Sequence, residues 1–176
     1  MTRLEYLLRQ SETVGEWYRR AEDKARFVIG LDTVLFGVVN GLVFVGADEA
    51  TALRGSFAPL MGILLVLAGG ALAASCLLVL QAVRSRHENR DAEASPVERM
   101  WFFGDIAAMS RTQHREAMAA WDEAAFERSL ISQNHVLSRH VAAKYIAVNR
   151  AVACSIAALL LLFALGLVYG WAVAGG

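Results

Sequence analysis

The sequence is poor in the residues that build disulfide-rich, metal-binding or nucleic-acid-binding proteins. It has two cysteines, four histidines and two prolines among 176 residues, and 17 Lys and Arg balance 17 Asp and Glu. Cys76 and Cys154 both lie in apolar runs and match no disulfide or metal-ligand spacing. A net charge of zero gives no indication of a nucleic-acid partner. We therefore expect neither a metal nor nucleic acid to bind.

Catalytic motifs are also missing. The sequence contains no H-E-x-x-H, no paired-cysteine motif, no phosphate-binding glycine loop and no nucleophile elbow. His135 and His140 are five residues apart, which places them on different sides of a helix. An exposed polar helix face explains these histidines and Ser138 better than a catalytic or metal site. We expect a protein that is not an enzyme and carries no cofactor.

Hydrophobic residues, in contrast, make up 56% of the chain and fall into three blocks. A helix needs about 20 mostly apolar residues to cross a bilayer. Residues 27–47, 57–83 and 151–173 meet this requirement, and the second and third blocks carry no charge. The alternative is a set of buried helices in a soluble protein, which three such blocks in one short chain argue against. We predict an all-α fold with three transmembrane helices.

The distribution of Lys and Arg predicts the orientation of these helices. Six lie in residues 1–27, one in the loop 48–56, ten in residues 84–150, and none follows Arg150. Short segments rich in Lys and Arg stay cytoplasmic. We therefore expect a cytoplasmic N-terminus, a cytoplasmic segment 84–150, an external loop 48–56 and a periplasmic C-terminus. The first 23 residues mix both charges, so we expect no cleavable signal peptide.

The cytoplasmic segments are predicted to form a helical bundle. In residues 1–26, apolar side chains recur every three or four residues, and no proline or glycine separates Glu16 from Val28, so this helix should continue into the first span. A helix from about Trp121 to Arg150 should likewise enter the last span. Residues 85–95 read as a linker, and the capping box at Ser95 with Pro96 predicts a short central helix. Each apolar stripe needs a partner, which favours one bundle.

Two polar residues interrupt the first span. Asp32 lies about two turns beyond Lys24, and a carboxylate costs about 2.5 to 3.5 kcal/mol at the centre of a membrane helix and less near its end. Asp32 is compatible with an ion path, a sensor or a polar contact between helices. It is equally compatible with a carboxylate that reaches the headgroups or is held by a neighbouring hydroxyl or basic group. Asn40 should contact another helix rather than lipid.

Small residues in the spans are candidates for helix packing. Gly37 and Gly41 form a G-x-x-x-G pattern, and Gly69 and Gly70 each precede an alanine by four residues. Such patterns permit close approach of two helices. They are compatible with a homo-oligomer or with packing inside one protomer.

Three stretches together carry a resemblance to a known family. They are "AEDKARFVIGLDTVLFG" at the first junction between water and lipid, "WFFGDIA" in the central segment, and "QNHVLSRHVAAKYIAVNRA" at the entry to the last span. In this order and topology, the chain resembles the Pycsar system effector family of the transmembrane, PycTM-like type. The resemblance implies a bacterial inner-membrane protein that works with a pyrimidine cyclase in antiviral defence. Cyclic CMP or cyclic UMP would activate it, and impairment of the membrane would abort infection.

A cyclic pyrimidine nucleotide, the ligand that the resemblance implies, needs a cation for its phosphate, aromatic faces for its base and polar groups for its edges. The helices near the cytoplasmic membrane face offer each type. Arg139 and Lys144 are candidates for the phosphate, and Tyr145, Phe102 and Phe103 for stacking. The remaining candidates, for the hydroxyl and base, are Asp23, Asp105 and Asn134. The alternative is that these residues form a salt-bridged bundle surface.

Two classes of function therefore remain open. One is a ligand-gated membrane effector. The other is a structural or accessory membrane protein that binds a partner through its cytoplasmic bundle. A transporter fits less well, because three spans without an inverted repeat do not match the common transporter architectures.

Overall fold

A computed structural model of the chain describes residues 1–49, 57–83 and 103–174. Within them the chain forms five helices and no strand: α1 (Arg3–Glu49), α2 (Ala58–Val83), α3 (Phe103–Ala108), α4 (Arg111–Ala119) and α5 (Glu123–Ala174). Three of these, α1, α2 and α5, contain stretches long and apolar enough to cross a membrane. The predicted all-α fold with three candidate membrane helices is confirmed.

Side chains satisfy the free backbone groups where α1 and α5 begin. At α1, the Thr2 hydroxyl accepts from the Glu5 N–H at 3.2 Å, and the Glu5 carboxylate accepts from the Thr2 N–H at 2.7 Å. At α5, the Asp122 carboxylate accepts from the Ala125 N–H at 2.6 Å. Such caps satisfy donors that have no partner in the first turn of a helix.

The central segment differs from the predicted single helix. Two short helices, α3 and α4, meet at Met109 and Ser110. Ser110 starts α4 with a capping box, since its hydroxyl accepts from the Gln113 N–H at 3.2 Å and its own N–H donates to Gln113 Oε1 at 2.9 Å. The sequence "SRTQ" carries this signal. The predicted linker 85–95 and the predicted cap at Ser95 and Pro96 lie outside the described residues.

The contacts divide the chain into two compact units. Unit 1 comprises Met1–Arg20 and Ser85–Ala143, and unit 2 comprises Ala21–Arg84 and Lys144–Gly176. All three predicted spans fall in unit 2. Helices α1 and α5 each run without a break from residues of unit 1 into residues of unit 2.

The core of unit 2 follows a heptad repeat. On each helix its buried side chains recur at steps of four and three residues, with one step of seven between Ala158 and Leu165 on α5. This spacing packs helices at a shallow left-handed angle. Half of these side chains are alanine or serine, small residues that let helices approach closely in a membrane. On α1 they are Ala21, Ala25, Val28, Asp32 and Leu35; on α2, Ala68, Leu72, Ser75, Val79 and Ala82; on α5, Lys144, Val148, Ala151, Ser155, Ala158 and Leu165.

Unit 1 buries a smaller core. Leu7 of α1, Ala117 of α4 and Leu130 of α5 are among its buried apolar side chains. At its surface, Arg3 pairs with Glu127 at 3.6 Å. The same heptad spacing continues on α5 through Leu130, the polar Asn134 and Val141.

Candidate functional site

Asp32 is the only Asp, Glu, Lys or Arg in the three predicted spans, and its exposed fraction is 3%. Its heptad position on α1 directs the side chain towards α2 and α5. Ser75 of α2 and Ser155 of α5 each donate a hydrogen bond to one oxygen of its carboxylate, both at 2.6 Å. Each helix of unit 2 therefore contributes one side chain to a buried polar layer, the Asp32 layer.

The Asp32 layer is internally satisfied. The hydroxyl oxygens of Ser75 and Ser155 lie 3.0 Å apart, and each lies 3.1 Å from the carbonyl oxygen of Ala151. A hydroxyl carries one proton, so the short bonds to the carboxylate use it and the contacts with Ala151 are alternatives. Among the described residues no cation pairs with Asp32, so two hydroxyl dipoles supply its solvation.

Apolar clusters flank the Asp32 layer on both sides. On α1, Asp32 lies between Val28 and Leu35, which belong to two separate clusters. The first cluster also contains Ala25, Val79, Ala82, Val148 and Ala151, and the second contains Leu72 and Ala158. Because the side chains of these clusters are apolar, they offer the layer no further hydrogen-bonding group, and the Ala151 carbonyl is the alternative acceptor for its hydroxyls.

A second polar group in unit 2 lies where the helices enter the predicted spans. Lys144 is 7% exposed by its side chain and donates to Glu22 at 2.9 Å. Lys24 donates to Asn149 Oδ1 at 3.1 Å, and its ammonium lies 5.7 Å from the centre of the Tyr145 ring. These pairs join α1 to α5 through charged hydrogen bonds.

The candidate nucleotide-binding residues fall in both units. Lys144 and Tyr145 make the contacts just described in unit 2. Asp23, also of unit 2, is exposed and lies 3.5 Å from the guanidinium of Arg26. Arg139 belongs to unit 1 and its side chain is exposed.

The remaining aromatic and acidic candidates belong to the central segment. Phe102 lies outside the described residues. Phe103 and Asp105 lie in α3, of which the structure describes the backbone at these two positions.

Asn134 is the buried polar residue of unit 1 that lacks a full set of partners. Its amide nitrogen donates to the Leu7 carbonyl at 3.2 Å and to Gln10 Oε1 at 3.4 Å. Its amide oxygen is buried without a hydrogen-bond partner among the described residues. The Leu7 carbonyl only accepts, so it fixes which end of the amide faces α1. The site therefore keeps one buried acceptor open.

Three glycines of α1 lie on the face opposite its buried stripe. Gly30, Gly37 and Gly41 are exposed, and a methyl group added at any of them would meet nothing within 4 Å. Gly69 and Gly70 of α2 have equally open surroundings. Among the described residues, the predicted helix-packing glycines therefore make no close contact within one protomer.

Asn40 satisfies part of its amide within its own helix. Its nitrogen donates to the Phe36 carbonyl at 2.8 Å, one turn earlier on α1. This bond lowers the cost of an amide at this depth without engaging another helix.

Sequence reasoning missed Ser75 and Ser155, the partners of Asp32. A signal for both was present, because each is the polar residue of the buried heptad stripe within its predicted span. Reading it needs the register between three helices, which one sequence does not supply. The buried pair of Glu22 and Lys144 was missed for the same reason.

Comparisons with known proteins identify one relationship. A model of the PycTM family, described as a Pycsar effector protein domain, matches residues 6–171. No curated protein and no solved structure matches the chain. The matched region includes the Asp32 layer, Asn134, all of α2 and most of α1 and α5.

Proposed function

The chain belongs to the PycTM family of Pycsar effectors, and from this membership we propose that it impairs the bacterial inner membrane in response to cyclic CMP or cyclic UMP. The observation that carries the proposal is the extent of the family match, which includes residues of both units. Three apolar helices supply the membrane part. The proposed outcome is abortive infection after a partner pyrimidine cyclase makes the nucleotide.

The continuous helices suggest how a ligand could act on the membrane. Helices α1 and α5 each carry residues of both units, and an α-helix transmits a shift along its axis because its backbone hydrogen bonds resist bending. In the proposal, a nucleotide changes the packing of α1 on α5 in unit 1. The same two helices then change their packing around Asp32.

Asn134 is the proposed contact for the nucleotide base. Its open amide oxygen is an acceptor, and cytosine and uracil each carry an N–H donor on the pairing edge. A ligand that separates α1 from α5 near Leu7 and Gln10 would reach this oxygen. Arg139 remains a candidate for the phosphate, since it is exposed on the same helix.

Purified protein titrated with cyclic CMP and with cyclic UMP in a calorimeter tests the sensing step. We expect heat with at least one of the two and none with cyclic AMP. Asn134→Leu should weaken binding, while Ser138→Ala, an exposed neighbour, should leave it unchanged. The absence of heat with both pyrimidine nucleotides would contradict direct sensing.

The proposed orientation places the N-terminus and the segment 84–150 in the cytoplasm and the C-terminus in the periplasm. It rests on the six, one and ten Lys and Arg residues of the successive segments. A reporter fused after Gly176 should report a periplasmic position, and one inserted near Glu93 a cytoplasmic position. A cytoplasmic C-terminus would overturn the orientation.

The outer face of α1 supports a homo-oligomer. Gly30, Gly37 and Gly41 present backbone that the described residues of the protomer leave uncovered, and small residues at this spacing favour close helix pairing in membranes. Gly41→Leu should reduce cross-linked oligomers in lipid. Gly166→Leu, at an equally open glycine of α5, is the matched control. Equal cross-linking of both variants and wild type would exclude this face.

A second candidate function is that of an accessory protein that recruits a protein partner. The observation in its favour is that unit 1 exposes large apolar side chains, among them Tyr6, Trp17, Met118 and Trp121. Such side chains mark interaction surfaces when they cluster. Cells that express the chain and an active cyclase distinguish the two functions. Membrane depolarisation that needs the cyclase products favours the effector, and unchanged membrane potential favours the accessory role.

A further inference from the structure

In the Asp32 layer, a carboxylate lies inside a predicted membrane span, where few polar groups solvate it. Two hydroxyl groups are its hydrogen-bond donors, and they come from two other helices. If α2 or α5 moved away from Asp32, the carboxylate would therefore lose one of its two hydrogen-bond donors. A buried carboxylate without donors is far more costly than one with its donors in place. Water is the replacement that can enter when the helices separate.

The surroundings of the layer determine where that water would come from. Both flanking clusters are apolar, and a narrow apolar segment excludes water while it stays closed. The ion pair of Lys144 on α5 and Glu22 on α1 lies about one helical turn before the first cluster on each helix. Water that reaches Asp32 from this polar end would hydrate a continuous path past Val28 and Val148.

We infer that the Asp32 layer is the gate of the membrane lesion and that the freed Asp32 carboxylate makes the lesion selective for cations. This inference rests on the proposed impairment of the membrane. In the closed unit, Ser75 and Ser155 hold the carboxylate and the three helices together. In the open unit, the carboxylate is hydrated and favours cations over anions, as acidic side chains do in cation channels.

The gate predicts opposite effects for two changes in the same layer. Ser75→Ala with Ser155→Ala keeps the charge and removes both donors, which destabilises the closed unit. Adding Asp32→Leu to this pair removes the charge as well and leaves an apolar layer. Apolar replacement of a complete buried polar group is often neutral or stabilising, whereas loss of its partners is strongly destabilising.

The experiment uses full-length protein in sealed vesicles of phosphatidylethanolamine and phosphatidylglycerol, without any nucleotide. Potassium and chloride efflux are measured separately for wild type, the double serine variant and the triple variant. Thr33→Val is the matched control, because Thr33 is exposed at the next position and its hydroxyl donates to the Ile29 carbonyl of its own helix. Protease protection and helix content establish insertion of each variant.

The double serine variant should release potassium roughly tenfold or more faster than wild type, since loss of both donors disfavours the closed unit. Its potassium efflux should exceed its chloride efflux. The triple variant and Thr33→Val should be as tight as wild type. Equal leakage from the double and triple variants would overturn the gate, because lost packing would then explain both. A tight double variant, or equal potassium and chloride efflux, would also overturn the inference.

This outcome is separable from that of the proposed function. The vesicles contain no nucleotide, so a protein that fails to sense cyclic CMP or cyclic UMP can still show the predicted leakage. Conversely, cells could depolarise when the cyclase is active while the double serine variant stays tight. In that case the effector function stands and the gate at Asp32 is wrong.

Discussion

Two polar positions on the buried stripe of α5 have different surroundings. Ser155 belongs to the Asp32 layer, where both carboxylate oxygens have a hydroxyl donor at 2.6 Å. Asn134 lies three heptads earlier in unit 1, where its amide oxygen has no partner among the described residues. Lipid offers no hydrogen bonds, so a polar group in a span needs its partners within the protein. Outside the spans, an open acceptor can be completed by water or a ligand.

The difference suggests that the buried stripe of α5 has a different role in each unit. The Asp32 layer fixes the register of three helices, as single polar residues do in coiled coils. Asn134 joins α1 to α5 with weaker bonds of 3.2 and 3.4 Å and leaves an acceptor open. Helices α1 and α5 are thus held by short hydrogen bonds around Asp32 in unit 2 and by longer ones at Asn134 in unit 1. This difference suits a change in helix packing that a ligand drives from Asn134.

The largest effect is expected when the two serines of the Asp32 layer are replaced. Ser75→Ala with Ser155→Ala leaves Asp32 without donors and should lower the free energy of unfolding by about 3 to 5 kcal/mol. Thermal or denaturant unfolding in detergent micelles, followed by circular dichroism, measures it. Thr33→Val should change this free energy by less than about 0.5 kcal/mol, as surface substitutions do. A double variant as stable as Thr33→Val would show that the layer contributes no stability.

The pair of Lys144 and Glu22 should show an intermediate effect. Glu22→Ala leaves the ammonium of Lys144 buried without this carboxylate, and we expect a loss of about 1.5 to 3 kcal/mol. Lys144→Met keeps the buried stem and leaves Glu22 partly in water, so its loss should be smaller. Unfolding of both variants in the same micelles decides the order. A larger loss for Lys144→Met would contradict the assignment of Lys144 as the buried partner.

The substitution Asn134→Leu tests the polar residue whose acceptor is open. It removes two long hydrogen bonds and one unsatisfied acceptor, so the stability should change by no more than about 1 kcal/mol in either direction. Nucleotide-dependent depolarisation of cells with an active cyclase should nevertheless disappear. The matched substitution Leu137→Ile, at the next heptad position, should retain the response. A loss of stability as large as that of the double serine variant would make Asn134 a structural residue.

The smallest effect is expected at the surface of unit 1. The exposed Arg3 pairs with the partly buried Glu127 at 3.6 Å, and Arg3→Ala should cost about 0 to 0.5 kcal/mol. The difference should vanish in high salt, because ions screen exposed charges. Unfolding at low and high ionic strength measures it. A salt-independent loss above about 1 kcal/mol would place this pair with the buried groups.

The fold was predictable where the signal is local. Apolar runs identify α2 and the last span because bilayer thickness sets the length of a helix that can cross it. The stripe from Leu7 to Val28 predicted the continuity of α1, because its three- and four-residue spacing is also a local signal. The division at Ser110 was missed although "SRTQ" carries a capping box, because the motif lies inside a segment that otherwise reads as helical.

The candidate site was predictable only in part. Asp32 is conspicuous in an apolar run, and a neighbouring hydroxyl was one of its predicted partners. The identity of that hydroxyl depends on the register of α2 and α5 against α1, which needs the folded chain. The nearer of the two partners of Asn134 is the Leu7 carbonyl, and a backbone acceptor has no sequence signal.

The most direct test of the account uses purified wild-type protein reconstituted in sealed vesicles loaded with potassium. Cyclic CMP and cyclic UMP are supplied on both sides of the vesicle membrane, with cyclic AMP as the control. The account predicts potassium release with at least one pyrimidine nucleotide and none with cyclic AMP. It also predicts no release from the triple variant that combines Asp32→Leu, Ser75→Ala and Ser155→Ala. Wild-type vesicles that stay tight with both pyrimidine nucleotides would contradict it.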